Sequence, residues 1–282
     1  MQTITTRLGR FPASRFAGNG FSLSYREVAG HSDVPVVLLH GIGSGSASWL
    51  QQFESCPSGY RLIAWDAPGY GDSDLIGTHS PGVNDYAERL AELIDALALG
   101  PIHLLGHSMG ALIATAYARR WPQRVRSLIL ADPATGYGGR DEQTRNTMVS
   151  GRIENIRASG PDGVAARLHE RLLSAEASGQ AINIVQWSGR RLRAHGYEDA
   201  VKMLASGNLI ADASHYRGPV LVLCGGSDVV TPPSDVRRLA ESFSQGIYSE
   251  IKGAGHASYI EAPDLFGNRV FEFIQQTSRK QP

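Results

Sequence analysis

The stretch "IHLLGHSMGALIATAYARRWP", residues 102–122, decides the fold. Its opening is a short apolar run of the kind that forms a strand covered on both faces. "ALIATAYARR" then carries apolar residues at helical spacing until Pro122. Between them stands Gly106-x-Ser108-x-Gly110. A strand that becomes a helix within so few residues must turn sharply, and glycines on both sides of the serine let backbone approach backbone. Such a turn lifts Ser108 out of the carboxyl edge of a sheet. Gly-x-Ser-x-Gly alone is a weak pattern, because Gly/Ser turns are common. The strand before it and the helix after it make Ser108 a candidate nucleophile.

The flanking segments repeat the alternation. "FSLSYREVAG" alternates polar and apolar residues, "VPVVLLHG" and "YRLIAWDAPGYG" are buried-strand runs, and "DYAERLAELIDALAL" has a helical period that Gly100 and Pro101 stop. "VRSLILADP", "GPVLVLCGGSD", "PPSDVRRLAESFS", "IYSEIKGAGH" and "DLFGNRVFEFIQQ" continue the pattern. Repeated βα units predict an α/β fold whose doubly wound sheet starts antiparallel and becomes mainly parallel. The alternation fails over residues 137–216, where "VAARLHERLLSAEA" and "YEDAVKMLAS" are helical and no strand is evident. This stretch is read as a helical cap inserted after the sixth strand. Residues 1–136 and 217–282 then form one core domain. Ile182, Ile184, Val185, Trp187, Met203 and Leu204 provide the cap with apolar surface to bury.

With 282 residues, 42% of them hydrophobic, the chain suffices for one large α/β domain. Lys plus Arg equals Asp plus Glu at 27 each, so no net field gathers phosphate or anionic lipid. Nucleic acid and membrane partners lose ground, and a small-molecule substrate is the expected partner. "MQTITTRLGRFPASRF" has no charged-then-apolar leader, and no apolar run reaches the roughly 18 residues of a membrane span, so a cytoplasmic protein is expected. Cys56 and Cys224 lack metal-ligand spacing and read as small apolar residues, with a single disulfide left open. Oligomeric state is not legible.

A serine hydroxyl is a poor nucleophile at neutral pH and needs a base, which in turn needs an orienting group. Nine histidines compete for the first role. His31 and His79 lie in polar loops, His169, His195 and His215 in or beside the cap, and His103 within a strand. His107 is held beside Ser108 by the chain and points elsewhere, and His40 ends the third strand and braces its loop. His256 stands in "KGAGHASYIEAP", a glycine-flanked loop just after the last strand, and is the expected base. In "VLVLCGGSDVVTPP", Asp228 lies beyond a strand end and is the expected orienting acid. Its rival is Asp132 in "LILADPA", which otherwise holds the loop leading into the cap. Asp228 is favoured because the order Ser, acid, His then falls on successive strand ends.

Acyl transfer builds negative charge on a carbonyl oxygen, which two preorganised backbone N–H groups stabilise. In "HGIGSGSASW" the backbone turns inward at Ile42, with Gly43 a close second. Met109 N–H opens the elbow helix and gains from its dipole. A phosphate cradle is a poor reading of these glycines: no G-K-[ST] follows, and no ribose-binding carboxylate is placed after a first strand. Neither metal nor cofactor is expected.

"LLHGIGSGSASW", "AWDAPGYGDSD", "LLGHSMGALIA", "LCGGSDVVTPP" and "GAGHASYIEAP" together resemble the successive signatures of the α/β-hydrolase superfamily across nearly the whole chain. Within it the chain is similar to 3-oxoadipate enol-lactonases, carboxylesterases and meta-cleavage-product hydrolases. The resemblance implies an α/β-hydrolase fold with an inserted cap. It also implies Ser108 as nucleophile, Asp228 as acid, His256 as base, and oxyanion donors at Ile42 or Gly43 and at Met109. Serine at the elbow argues against haloalkane dehalogenases and epoxide hydrolases, which use a carboxylate nucleophile. His107 before the serine and "ADPA" after the sixth strand depart from the meta-cleavage pattern and lower the expectation of carbon–carbon bond hydrolysis. The expected activity is therefore hydrolysis of a small carboxylic ester or lactone. Cleavage of a vinylogous diketone is the alternative, and a non-catalytic ligand receptor on the same fold the remote one. In the cap, Trp187 and Met203 are candidates for an apolar pocket, and Arg190, Arg191 and Arg193 for pairing with a substrate carboxylate. Packing and a solvated face are the bland readings of these residues, and Tyr137 near the hinge is undecided.

Overall fold

A computed structural model describes residues 2–18, 20–32 and 34–279. The strands are β1 (Ala13–Gly18), β2 (Phe21–Val28), β3 (Val36–Leu39), β4 (Leu62–Trp65), β5 (Ile102–His107), β6 (Val125–Ala131), β7 (Val220–Gly225) and β8 (Gly246–Ile251). They form one eight-stranded sheet in the order β1-β2-β4-β3-β5-β6-β7-β8. β2 pairs antiparallel with β1 and β4, and all later pairings are parallel. The antiparallel start and parallel remainder match the expectation. β1 is an addition, since its residues alternate between exposed and half-buried at the sheet's edge and leave no buried run to read.

The helices are α1 (Ile4–Leu8), α2 (Leu50–Glu54), α3 (Val83–Ala96), α4 (Met109–Arg120), α5 (Glu142–Leu172), α6 (Gly179–Gly189), α7 (Ala194–Ser206), α8 (Leu209–Ala213), α9 (Pro233–Glu241), α10 (Ser258–Glu261) and α11 (Pro263–Arg279). α3 ends before the Gly100-Pro101 stop, because Ala98 turns to φ 50°. The stretch 137–216 holds α5 to α8 and no strand. α5 kinks at Gly160 (φ 63°), just ahead of Pro161. Among the described residues, no helix is long and apolar enough to cross a membrane.

Side-chain alternation explains why the strands read as continuous apolar runs. Val37, Leu39 and Leu104 enter one core layer with α3 and α4, whereas Val36, Leu38 and Leu105 enter the other with α11. The order also fixes where a site forms. β3 lies between β4 and β5, so the chain leaves β3 towards one edge of the sheet and leaves β5 towards the other. The crevice at their carboxyl ends is the switch point at which open α/β sheets bind ligands.

Three histidines are buried along these central strands. His103 pairs through Nδ1 with Ser127 Oγ at 2.7 Å. His40 donates from Nδ1 to Gly41 O at 2.9 Å and accepts the Ala67 N–H at Nε2, 3.0 Å. His107 donates from Nε2 to the His256 carbonyl at 2.8 Å. Burial lowers all three from the ordinary 6.5, His103 to about 4 and His107 to about 3. Between 6.5 and those values the unfolded chain binds protons that the folded chain refuses, so stability falls as pH falls. Asp132 acts oppositely above its ordinary 3.8, because burial and the Asp228 charge push its carboxyl well up and the folded chain keeps a proton. Three groups oppose one, which limits the net slope to roughly 2–3 kcal/mol per pH unit. The urea midpoint should therefore drop on going from about pH 7 to about pH 5; a constant or rising midpoint would contradict these assignments.

Candidate active site

β5 ends at His107 and α4 begins at Met109, leaving Ser108 alone to make the turn. Its backbone sits at φ 50°, ψ −112°, a conformation that costs a non-glycine residue on the order of 1–3 kcal/mol. Neighbouring backbone holds it there. Ser108 N–H donates to Ala131 O at 2.9 Å, and its carbonyl accepts from Ala111 and Ala134 at 3.0 and 3.2 Å. A Cβ on Gly106 would lie 2.3 Å from the Gly110 carbonyl oxygen, and one on Gly110 2.3 Å from that of Leu39. The two glycines let α4 start directly against the strand ends.

His256 follows β8 and reaches back to the elbow, where its Nε2 lies 2.9 Å from Ser108 Oγ. Its Nδ1 lies 2.8 Å from Asp228 Oδ2. All three residues are buried. Asp228 Oδ1 accepts the N–H groups of Val230 and Thr231 at 2.7 and 3.0 Å, and Oδ2 accepts the Thr231 hydroxyl at 2.6 Å. Burial alone would raise this carboxyl, but the hydrogen bond and charge of His256, aided by Thr231, hold it below its ordinary value. An ionised Asp228 assigns the imidazole proton to Nδ1 and leaves the Nε2 lone pair facing Ser108.

Asp132, the rival acid, is buried and accepts Gly225 N–H at 2.7 Å and the Ser258 hydroxyl at 2.6 Å. It ties the end of β7 to the helix after His256, rather than holding the loop into the 137–216 segment. Asp132, Cys224 and Asp228 offer donor atoms within 4.8 Å of one another. The carboxylate oxygens are engaged by protein donors, and burial pushes the Cys224 thiol up, away from the thiolate that a metal needs. This donor set does not fit a metal ion.

Ile42 and Gly43 border the same cavity as Ser108 and His256. Met109 is the first residue of α4, so its N–H has no acceptor within the helix. Burial pushes the Tyr70 phenol up, and its hydroxyl has no hydrogen-bond partner among the described residues. The loop is anchored by Asp66, whose Oδ1 accepts Ser46 N–H at 2.6 Å and whose Oδ2 accepts the hydroxyls of Ser46 and Ser24 at 3.0 and 2.7 Å. Sequence reasoning missed Asp66; its place at the end of an apolar strand, in "AWDAPG", was the available signal.

The cavity measures about 290 Å³. Leu168, Leu172, Val185 and Tyr197 line it from the helices between β6 and β7, and Tyr137 lines it as well. Trp187 and Arg190 do not. Trp187 is half-buried with the Arg191 guanidinium 3.4 Å from its ring centroid, and Arg190 is exposed. Met203 is buried in the core, and Arg193 donates to the carbonyls of Gly71 and Ser73, so neither reaches the cavity. The arginines that line it are Arg140, Arg152 and Arg171. They lie on or beside α5, whose kink could not be placed from periodicity alone.

Residues 34–263 match the family described as the alpha/beta hydrolase fold. The chain is 29% identical over 260 residues to a 2-hydroxy-6-oxononadienedioate/2-hydroxy-6-oxononatrienedioate hydrolase of Burkholderia vietnamiensis, covering 88% of this chain and 89% of the relative. It is 26% identical over 244 residues to 3-oxoadipate enol-lactonase 1 of Acinetobacter baylyi, covering 85% and 88%. The solved enol-lactonase of Burkholderia xenovorans LB400 superposes with a TM-score of 0.83 at 24% identity, over 93% of this chain and all of that one (100%). The chain is thus a hydrolytic enzyme and belongs to the α/β-hydrolase fold family.

Proposed function

We propose that the protein is a serine hydrolase of small carboxylic esters or lactones that works through an acyl-enzyme and needs no metal or cofactor. The observation that carries this reading is the unbroken chain Ser108 Oγ, His256, Asp228, with both links under 3 Å and Ser108 at the wall of a cavity. Ser108 Oγ attacks the substrate carbonyl carbon while its proton passes to His256 Nε2. The ionised Asp228 stabilises the imidazolium, and the N–H groups of Ile42 and Met109 hold the oxyanion. Collapse expels the alcohol oxygen, which takes the proton from His256. Water then attacks the acyl carbon, giving a proton to His256 and releasing the acid as Ser108 regains its hydrogen.

A cytoplasmic site of action and a small-molecule partner belong to this proposal. Residues 137–216 act as the cap that selects the substrate. The end of α5 also buttresses the base: Leu172 O accepts Ala257 N–H at 2.7 Å, and Glu261 accepts the N–H groups of Gly255 and Ser174 at 2.8 and 3.0 Å. Selection and chemistry therefore meet at residues 172–174, while other parts of the segment line the cavity or pack against the core. The similarity to a dienedioate hydrolase supports carbon–carbon bond cleavage as a second reading. Bleaching of a coloured dienolate by the enzyme would distinguish it from ester turnover.

Ser108→Ala should lower turnover of a nitrophenyl ester by several orders of magnitude, and Asp228→Asn should cost on the order of 10⁴ by favouring the wrong imidazole tautomer. Asp132→Asn should cost far less in the folded fraction, since Asp132 touches Gly225 and Ser258 instead of His256. Substantial activity in Ser108→Ala, or a greater loss from Asp132→Asn than from Asp228→Asn, would refute the assignment.

Selectivity should respond to the cavity wall. Val185→Ala should change the ratio of kcat/KM between short and longer acyl esters by an amount equivalent to about 1–3 kcal/mol, with the acyl-enzyme burst retained. Trp187→Ala should leave that ratio within about twofold, because an off-cavity surface change is worth little. Equal responses from the two variants would contradict this account of the cap.

A further inference from the structure

We infer that Thr231 is a positioning residue for the base: its hydroxyl fixes the Asp228 carboxylate and shares the Nδ1 proton of His256. This deepens the serine hydrolase reading and rests on it. Thr231 Oγ1 lies 2.6 Å from Asp228 Oδ2 and 3.2 Å from His256 Nδ1, while Nδ1 and Oδ2 are 2.8 Å apart. The three atoms form a closed triangle. An ionised carboxylate only accepts, so the Thr231 hydroxyl gives its hydrogen to Oδ2 and keeps its lone pairs for the imidazole. The Nδ1 proton then meets two acceptors, Oδ2 at the shorter distance and Oγ1 at the longer.

Local chain chemistry holds that hydroxyl in place. Thr231 N–H donates to Asp228 Oδ1 at 3.0 Å, and the Thr231 carbonyl accepts the Cys224 thiol hydrogen at 3.6 Å. Pro232 follows and favours extended backbone at Thr231, whose β-branched side chain is stiff at χ1. The two oxygens of Asp228 are held differently. Oδ1 accepts two backbone N–H groups, those of Val230 and Thr231, whereas Oδ2 depends on side chains. Without the Thr231 hydroxyl, the one hydrogen bond left to Oδ2 among the described residues is that of His256. The carboxylate could then turn about its Oδ1 anchor, and the imidazole would turn with it. Thr231 borders the cavity, as Ser108 and His256 do and Asp228 does not. Its hydroxyl hydrogen is already given to Asp228 and is not available to a substrate oxygen, so its contribution to turnover runs through the base.

Acylation and deacylation both pass a proton through His256, so a looser base slows each step and leaves KM, which depends on their ratio, little changed. Thr231→Val keeps the shape of the side chain and removes the hydroxyl. It should lower kcat on a nitrophenyl ester by about tenfold or more, as loss of a hydrogen bond to a charged group does, with KM within about twofold. Thr231→Ser, which restores the hydroxyl, should recover most of that loss. A double-mutant cycle separates positioning from general support. In the Asp228→Asn background, where the imidazole already holds its proton on the wrong nitrogen, Thr231→Val should cost less than about threefold more. Fluorophosphonate labelling of Ser108 that is slow but goes to completion shows that Thr231→Val is folded. Should it not label at all, Thr231→Ala takes its place in the same comparisons. A labelled Thr231→Val with unchanged kcat, a loss that Thr231→Ser does not recover, or an equal loss in the Asp228→Asn background would overturn the inference while leaving the hydrolase reading intact. Absence of both labelling and ester turnover in wild type would overturn both.

Discussion

The constraint on which the rest of this structure depends is the positive φ of one non-glycine residue. Ser108 is held at φ 50° because three backbone hydrogen bonds and two close glycine contacts leave α4 no other way to start. The strain is local and is opposed by the packing of β5 and α4, both almost wholly buried. Its result is a hydroxyl that projects at the switch point of the sheet. Any relaxation of the turn towards ordinary helical or extended geometry would carry Oγ away from His256.

Around that serine, buried polar groups work mainly as braces. Asp66 fastens the loop after β3, Asp132 joins β7 to the helix after His256, and His107 holds the His256 carbonyl. Asp66 and Asp132 are buried with both carboxyl oxygens engaged, which keeps a polar group in the interior from being a liability, whereas His107 is engaged through Nε2 and leaves Nδ1 without a partner among the described residues. Asp228 faces His256 and His256 faces the serine, while the braces hold the backbone around them. The helical segment between β6 and β7 joins this support where Leu172 and Ser174 meet the His256 loop.

The sheet, the elbow and the residues meeting at it were legible because each rests on local chemistry: buried runs, a glycine-flanked turn, and polar residues just past strand ends. Ser108, Asp228 and His256 come together in space as their positions beyond β5, β7 and β8 implied. What was not legible depends on long-range orientation. β1 is an edge strand without a buried run, and α3 ends at Ala96, two residues before the positive φ of Ala98 and ahead of the proline signal. Trp187 and Arg190 were attractive by residue type, yet the rotation of α6 sends them away from the cavity while Val185 and Ser188 face it. Arg152 lay in a helix whose apolar stripe is weak, so only tertiary packing shows which side it presents. Fold class follows from periodicity, whereas the lining of a cavity follows from helix rotation, which periodicity fixes loosely when the stripe is broken.

The central claim is that a strained, base-activated Ser108 is the nucleophile. Peptide mapping by mass spectrometry after treatment with a fluorophosphonate tests it most directly. The account predicts a single adduct on the peptide containing Ser108, formed rapidly in the wild-type protein and slowed by orders of magnitude in His256→Ala. An adduct on another serine, or none at all from an enzyme that still turns over an ester, would contradict it.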